Sequence, residues 1–352
     1  MHKFLYIVQK TFNQYLKGSV MDNIVKLISP KRLNVYKTYF NATTEEQCLG
    51  LYIWNQKLSN VFNSIIHIIE VSLRNSIMNT INEKKPTLSG EGFISYFRSL
   101  DENNESRKQI EYAYGKCHKK NNYTTDDLIA LLPFGFWANI CSQEHNESNE
   151  GSLQLWPTYK DDIFPDTDLS IGEIYKNISV VNILRNRISH HEVIWKDKNA
   201  LNQDGLINKV IDNYKSCLEV AKSIHIDNLK LIELIEGKVL LEDLCKTSTI
   251  DNYTKLITDI TKVSVIDIPE FVKANRKETI FKGEVTSVNS NATYIKNNKL
   301  RDSDDKKIKF RMDNEIRIKI GPLKVGDIVT FEPFVIRNDK GKFYIAKKVT
   351  LL

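Results

Sequence analysis

Eight consecutive residues, Arg185-Asn186-Arg187-Ile188-Ser189-His190-His191-Glu192, hold two arginines, an asparagine, two histidines and a glutamate. Arginine grips phosphate oxygens bidentately, and the ordinary pKa of histidine suits proton transfer near neutrality. Cleavage of RNA by its own 2′-hydroxyl needs both abilities. A base takes the 2′ proton, the oxygen attacks the adjacent phosphorus, an acid protonates the leaving 5′-oxygen, and a cation steadies the added charge. No other His, Cys or carboxylate grouping in the sequence has metal-ligand spacing, and no G-x-x-x-x-G-K-[ST] phosphate loop occurs. The chemistry expected here therefore calls for no metal and no cofactor. The plainer reading of the same residues is that basic side chains near a helix C-terminus complement its dipole.

The segment falls late in a helical pattern. Apolar Ile174, Ile178, Val181, Leu184 and Ile188 recur at helical spacing over residues 171–193, with Ser170 and Glu173 as a capping box. On an ideal helix Arg185 and His190 lie ~140° apart, whereas Arg187 and His191 share a face, as do Asn186 and His190. Spacing thus points to Arg187 with His191, and places Asn186 to orient His190. A longer helix is predicted over residues 45–81, where Cys48, Leu51, Trp54, Leu58, Phe62, Ile65, Ile69, Leu73 and Ile77 form one stripe. Thr44 is its cap, and Lys84-Lys85-Pro86 ends it because proline cannot continue a helix. On this helix Glu70 and Arg74 are four apart, the spacing of a surface ion pair. His67 reads as a core histidine, and Trp54, Phe134, Phe136 and Trp137 as core aromatics. Further helices are expected near 206–224 and 229–244, and the polar stretch 142–151 reads as a surface loop.

After residue 250 the rhythm changes to short alternating runs at 280–285, 307–312, 315–320, 328–335 and 342–346, separated by Gly, Asn, Asp and Pro turns. About five short strands in about 75 residues is the size of a small β-barrel. The expected fold is therefore a mainly α-helical domain over residues 1–250, a linker over 251–278, and a small all-β barrel over 279–352. Charge divides along the same line. From residue 261 onward there are 20 Lys and Arg against 12 Asp and Glu, a net of +8, while the preceding part carries −2. A basic tail on a neutral body suggests a polyanion as its partner. Five scattered cysteines without a C-x-x-C pair exclude a zinc ribbon and argue against a disulfide framework, which fits a reducing, cytoplasmic setting. The longest apolar run, residues 61–73, carries His67 and Glu70 and falls short of the ~20 residues a bilayer span needs, so no membrane is expected.

Arg185-Asn186-x-x-x-His190 resembles the R-N-x-x-x-H motif of HEPN domains, which are helical, metal-independent ribonucleases. Further blocks resemble the Abi-like (AbiD/AbiF) abortive-infection family: Ser29-Pro30-Lys31-Arg32-Leu33-Asn34-Val35-Tyr36, Leu51-Tyr52-Ile53-Trp54-Asn55, Ile69-Glu70-Val71-Ser72-Leu73-Arg74-Asn75 and Leu132-Pro133-Phe134-Gly135-Phe136-Trp137. They fall in that family's order over residues 25–220. The resemblance implies a ribonuclease toxin of antiphage defence, with Arg185, Asn186 and His190 catalytic and Glu70 and Arg74 beside them. It leaves Arg187 and His191 as the alternative pair. HEPN nucleases join two such motifs at a dimer interface and this chain holds one, so a homodimer is expected, with an RNA or protein antitoxin as a further partner.

The last part, from Phe281, resembles an OB-fold of the cold-shock type, through Phe281-Lys282-Gly283-Glu284-Val285 and Val325-Gly326-Asp327-Ile328-Val329-Thr330-Phe331-Glu332. That resemblance implies single-stranded RNA binding by stacking on Tyr294 and Phe310 between Lys309 and Arg311. The rival to an enzyme is a catalytically silent RNA-binding or scaffold protein that works through this basic domain.

Overall fold

A computed structural model describes residues 20–117, 123–197, 199–200, 202–275, 280–289, 292–301, 306–312, 322–338 and 341–352. They divide into two compact units at Val263/Ser264. The helices of the first unit are α1 (Pro30–Phe40), α2 (Glu45–Lys84), α3 (Glu91–Ser99), α4 (Glu105–Cys117), α5 (Thr125–Ile129), α6 (Phe134–Ile140) and α7 (Lys160–Ile163). After them come α8 (Ile171–Ser189), α9 (Gln203–Ile224), α10 (Asp227–Leu234), α11 (Gly237–Leu244) and α12 (Thr247–Thr254).

The central element is α2. Thr44 accepts from the Gln47 N–H while the Gln47 side chain returns to the cap, a capping box that satisfies donors the first turn leaves unpaired. The stripe from Cys48 to Ile77 is buried along the whole helix. Against it pack α1, α8, α9, α11 and α12, so one apolar stripe organises most of the unit. Trp54, Phe134, Phe136 and Trp137 are all core residues, as their apolar settings imply. Where α12 crosses α2 the two backbones nearly touch, and Gly50 makes this feasible because a Cβ there would collide with the Tyr253 carbonyl oxygen.

Two helices differ from their periodicity. The segment expected over 229–244 is split into α10 and α11 by Glu236, which adopts a left-handed φ of 56°. Helix α8 starts at the predicted Ser170–Glu173 capping box but stops at Ser189, short of 193. His191 takes φ 56° and reverses the chain, which lets Ile194 and Trp195 drop into the core. Burial of an indole outweighs one more turn of helix. The helical core also extends past residue 250, since Ile257 is buried in it within the stretch read as linker.

The second unit contains α13 (Ile268–Asn275) and strands β1 (Phe281–Val288), β2 (Thr293–Arg301), β3 (Lys307–Met312), β4 (Ile328–Asn338) and β5 (Gly341–Leu351). They close in the order β1-β2-β3-β5-β4, with β3 and β5 parallel and the other pairs antiparallel. That order fits an OB-like barrel. The run at 315–320 lies outside the described residues. Strand β2 does not alternate cleanly because its inward Asn297 is polar, and this side chain is satisfied by donating to the Lys282 carbonyl at 2.6 Å.

The close crossing of α2 and α12 makes a test of the packing. Gly50→Ala gains helix propensity of about 1 kcal/mol, but the neighbour it meets is backbone and cannot rotate away. Overpacking of this kind costs about 1–3 kcal/mol. A net fall in the unfolding temperature is expected in calorimetry, and an unchanged or raised Tm would show that α12 sits further from α2.

Candidate active site

The turn that ends α8 is built by backbone hydrogen bonds. The His190 N–H donates to the Asn186 carbonyl at 2.9 Å, the His191 N–H to Ile188 at 3.0 Å, and the Glu192 N–H to Arg187 at 2.8 Å. Beyond it the chain is clamped by two buried asparagines: Asn55 Oδ1 accepts from the Ile194 N–H, and Asn213 Nδ2 donates to the Ile194 carbonyl, both at 3.4 Å. Trp195 then lies against Tyr36, Tyr39 and Phe40 of α1 and Trp54 of α2, with ring centroids 4.9–6.3 Å apart. Anchored in this way, the turn leaves both imidazoles exposed at the helix end.

They face an open cleft of about 750 Å³ between α1 and the turn. Lys31, Arg32, Arg187 and Lys196 line it, with Glu192 as the one carboxylate and Tyr52 as a polar wall. Four cations beside two imidazoles suit a phosphodiester: charge to hold it and groups that can give and take protons. Arg187 also reaches across the turn, donating from Nη1 to the Lys196 carbonyl at 3.4 Å.

Of the residues singled out from the sequence, Arg187, His190 and His191 are thus brought together. Arg185 is not part of that lining. It is half-buried, and its charge acts on Glu70 of α2. Burial pushes the Glu70 carboxyl above its ordinary value, opposed first by Arg185 and then by His67 and Arg74. Glu70, Arg74 and Arg185 therefore share one electrostatic neighbourhood on the α2 side of α8. His67 belongs to it too and is exposed; it is not the core histidine that its apolar helix suggested, because it falls on the polar side of the stripe. Asn186 is exposed and meets His190 through its backbone carbonyl. Lys31, Arg32, Tyr52 and Lys196 were not picked out as site residues, although Lys31, Arg32 and Tyr52 lie in two of the blocks that carried the family resemblance. Only their position relative to the helix end reveals them.

In the barrel, one expectation is corrected. Phe310 is 2% exposed, packed on Phe331 at 5.1 Å and Tyr344 at 5.9 Å, so it is core and offers no face to a base. Strand alternation decides this: Ile308, Phe310 and Met312 point inward and Lys307, Lys309 and Arg311 outward. Tyr294 lies opposite Arg311 and is half-buried, and Lys296 lies opposite Lys309. The exposed aromatics are Phe334 and Phe343, at 45% and 44%, on β4 and β5.

The sequence model for Abi-like proteins matches residues 4–196, more than half of the chain. The chain belongs to the Abi-like family. Membership points to abortive-infection defence, and the match runs from before α1 to Lys196 of the cleft. No curated protein and no solved structure matches this Abi-like chain. Among the described residues no helix is long and apolar enough to cross a membrane.

The raised carboxyl of Glu70 has a measurable sign. Folding favours its protonated form, so the stability it contributes is present below the ordinary carboxylate value and is lost as pH rises through the higher folded value. Glu70→Gln removes that loss. The variant should match wild type in acid and gain in Tm relative to it as pH rises to neutrality. A Tm that falls relative to wild type over the same range would mean that the attraction of Arg185 exceeds the desolvation of Glu70.

Proposed function

We propose that this Abi-like protein is a metal-independent endoribonuclease that cleaves RNA by attack of the 2′-hydroxyl and acts as a toxin in abortive-infection defence. The observation that carries the reading is the placement of His190 and His191 at the open end of α8, among four cations in one cleft. His190 handles the protons, and arginine holds the phosphate and the charge that develops on it. With Arg185 turned toward Glu70, the family pair Arg185 and His190 works across two copies in a homodimer, and Asn186 orients His190. A second reading is favoured by the cleft itself, in which Arg187 and His191 serve within one copy.

The basic barrel supplies the hold on single-stranded RNA in this scheme, with Lys309 and Arg311 exposed on β3 and Tyr294 beside them on β2. A protein that only bound RNA would keep its effect on cells when His190 is removed.

His190→Ala should lower RNA cleavage by ~10²–10⁴-fold with the fold retained, and cells expressing it should grow where the wild type arrests them. Cleavage should persist in EDTA, leave 2′,3′-cyclic phosphate ends, and fail on a substrate with 2′-deoxyribose at the cut. Mixing inactive His190→Ala with inactive Arg185→Ala subunits should restore activity through hybrid dimers. No restoration, together with loss of activity in Arg187→Ala and His191→Ala, would select the single-copy site. Full activity in folded His190→Ala with loss in His191→Ala would move the proton transfer to His191. Full activity in both would end the ribonuclease assignment.

A further inference from the structure

Arg32 stands in the first turn of α1, and His190 comes 158 residues later, yet one guanidinium joins them. Its Nη1 donates to the His190 carbonyl at 3.2 Å and also to the His191 carbonyl, and its Nη2 donates to the His190 carbonyl at 3.3 Å. The Asn186, Arg187 and Ile188 carbonyls at the end of α8 are taken up by amides of the turn, while the carbonyls of the cap residue His190 and of His191 just past it accept from Arg32. A planar guanidinium fork is the side chain that can cover these two at once.

The backbone on both sides of this bridge is held in unusual geometry. Ser29 has φ 87° and ψ 128°, and His191 has φ 56°, both in a region that residues other than glycine rarely adopt. Such conformations persist where the surroundings over-determine them. Pro30 helps to hold Ser29 extended in ψ, and the Ser29 carbonyl accepts from the Arg32 and Leu33 N–H groups at 3.0 and 3.3 Å, which starts α1. Both strained residues line the cleft, one on each side of Arg32. Trp195 pulls the far end of the turn against α1 and the turn's own backbone bonds shape it, while the guanidinium bridge ties the His190 and His191 carbonyls themselves to α1.

We propose that Arg32 is a positioning residue that ties the His190–His191 turn to α1 and so fixes where the two imidazoles stand in the cleft. It also covers carbonyls whose partial charge would repel a phosphate, leaving Lys31, Arg187 and Lys196 to meet the substrate. The catalytic consequence rests on the ribonuclease reading; the mechanical one does not.

The test compares full-length wild type, Arg32→Ala and Arg32→Lys, with Lys37→Ala as a control cation on the same helix but outside the cleft. Hydrogen exchange is read at the His191 and Glu192 amides, which the turn protects by bonding them to Ile188 and Arg187. Arg32→Ala should speed their exchange without changing the middle of α8. With RNA as substrate its kcat should fall by about 10–100-fold while KM changes by no more than about twofold, the pattern of misplaced catalytic groups. Arg32→Lys, with one ammonium in place of the fork, should recover part of both effects, as should millimolar guanidinium added to Arg32→Ala. Unchanged exchange at the turn would overturn the proposal, and so would an unchanged kcat with faster exchange. A raised KM whose salt dependence flattens by ~0.7 in log–log slope would instead make Arg32 a phosphate contact. If wild type cuts no RNA, the ribonuclease reading fails, and the exchange result alone still decides whether Arg32 holds the turn.

Discussion

The arrangement at the end of α8 depends on the burial of Trp195. A tryptophan carries a large apolar surface, and aromatic pairs add about 0.5–1.5 kcal/mol beyond the area they bury. Trp195 meets Tyr36, Tyr39 and Phe40 of α1 and Trp54 of α2, so two separate stretches of chain converge on one ring. To reach that site the chain must leave its helix at Ser189, reverse at His191 and run inward through Ile194. Exposure of the two histidines is a consequence of that path. Asn55 and Asn213 satisfy the backbone of Ile194 on the way in, which burial would otherwise leave unpaired.

Electrostatics then sets a second constraint. The C-terminal end of a helix is negative, which suits a protonated imidazole and opposes a phosphate. A phosphodiester can approach this end only if the field is reversed, and the cleft does so with Lys31, Arg32, Arg187 and Lys196 against Glu192. Arg185 takes no part in that reversal because Glu70, half-buried and desolvated, faces it from α2. The two arginines that flank Asn186 thus serve different surroundings although they are two residues apart.

The barrel obeys a separate logic. Its core of Val285, Ile295, Phe310, Met312, Val329 and Phe331 follows strict strand alternation, and the positive charge is displaced to the outside. Gly283 marks where two inward side chains close on β1, since a Cβ there would come within 2.6 Å of Ile295 and 2.7 Å of Phe331. An aromatic at an inward position fills this core and leaves the basic surface to side chains of the outward set.

Local order was legible in the sequence because its causes are local. The stripe and capping box of α2, the Ser170–Glu173 start of α8 and the division of charge near residue 261 each arise from neighbours a few residues apart. The cluster from Arg185 to Glu192 was legible for the same reason. The fate of each member was not. Whether α8 continues past Ser189 depends on where Trp195 can be buried, and periodicity carries no information about a ring 5.7 Å away on α1. The alternation of Lys307–Met312 already puts Phe310 on the apolar side of β3, and only a role in stacking bases would have required it to be exposed. Arg32 shows the division most clearly. Its sequence context marks the start of a helix, and its partners are carbonyls 158 and 159 residues away, groups that every residue possesses. A backbone acceptor leaves no signature in the amino-acid sequence, so the chain by itself determined the helices, their caps and the chemistry available to them. The tertiary structure decided which of those groups meet, because burial of distant apolar rings selects the one path that brings them together.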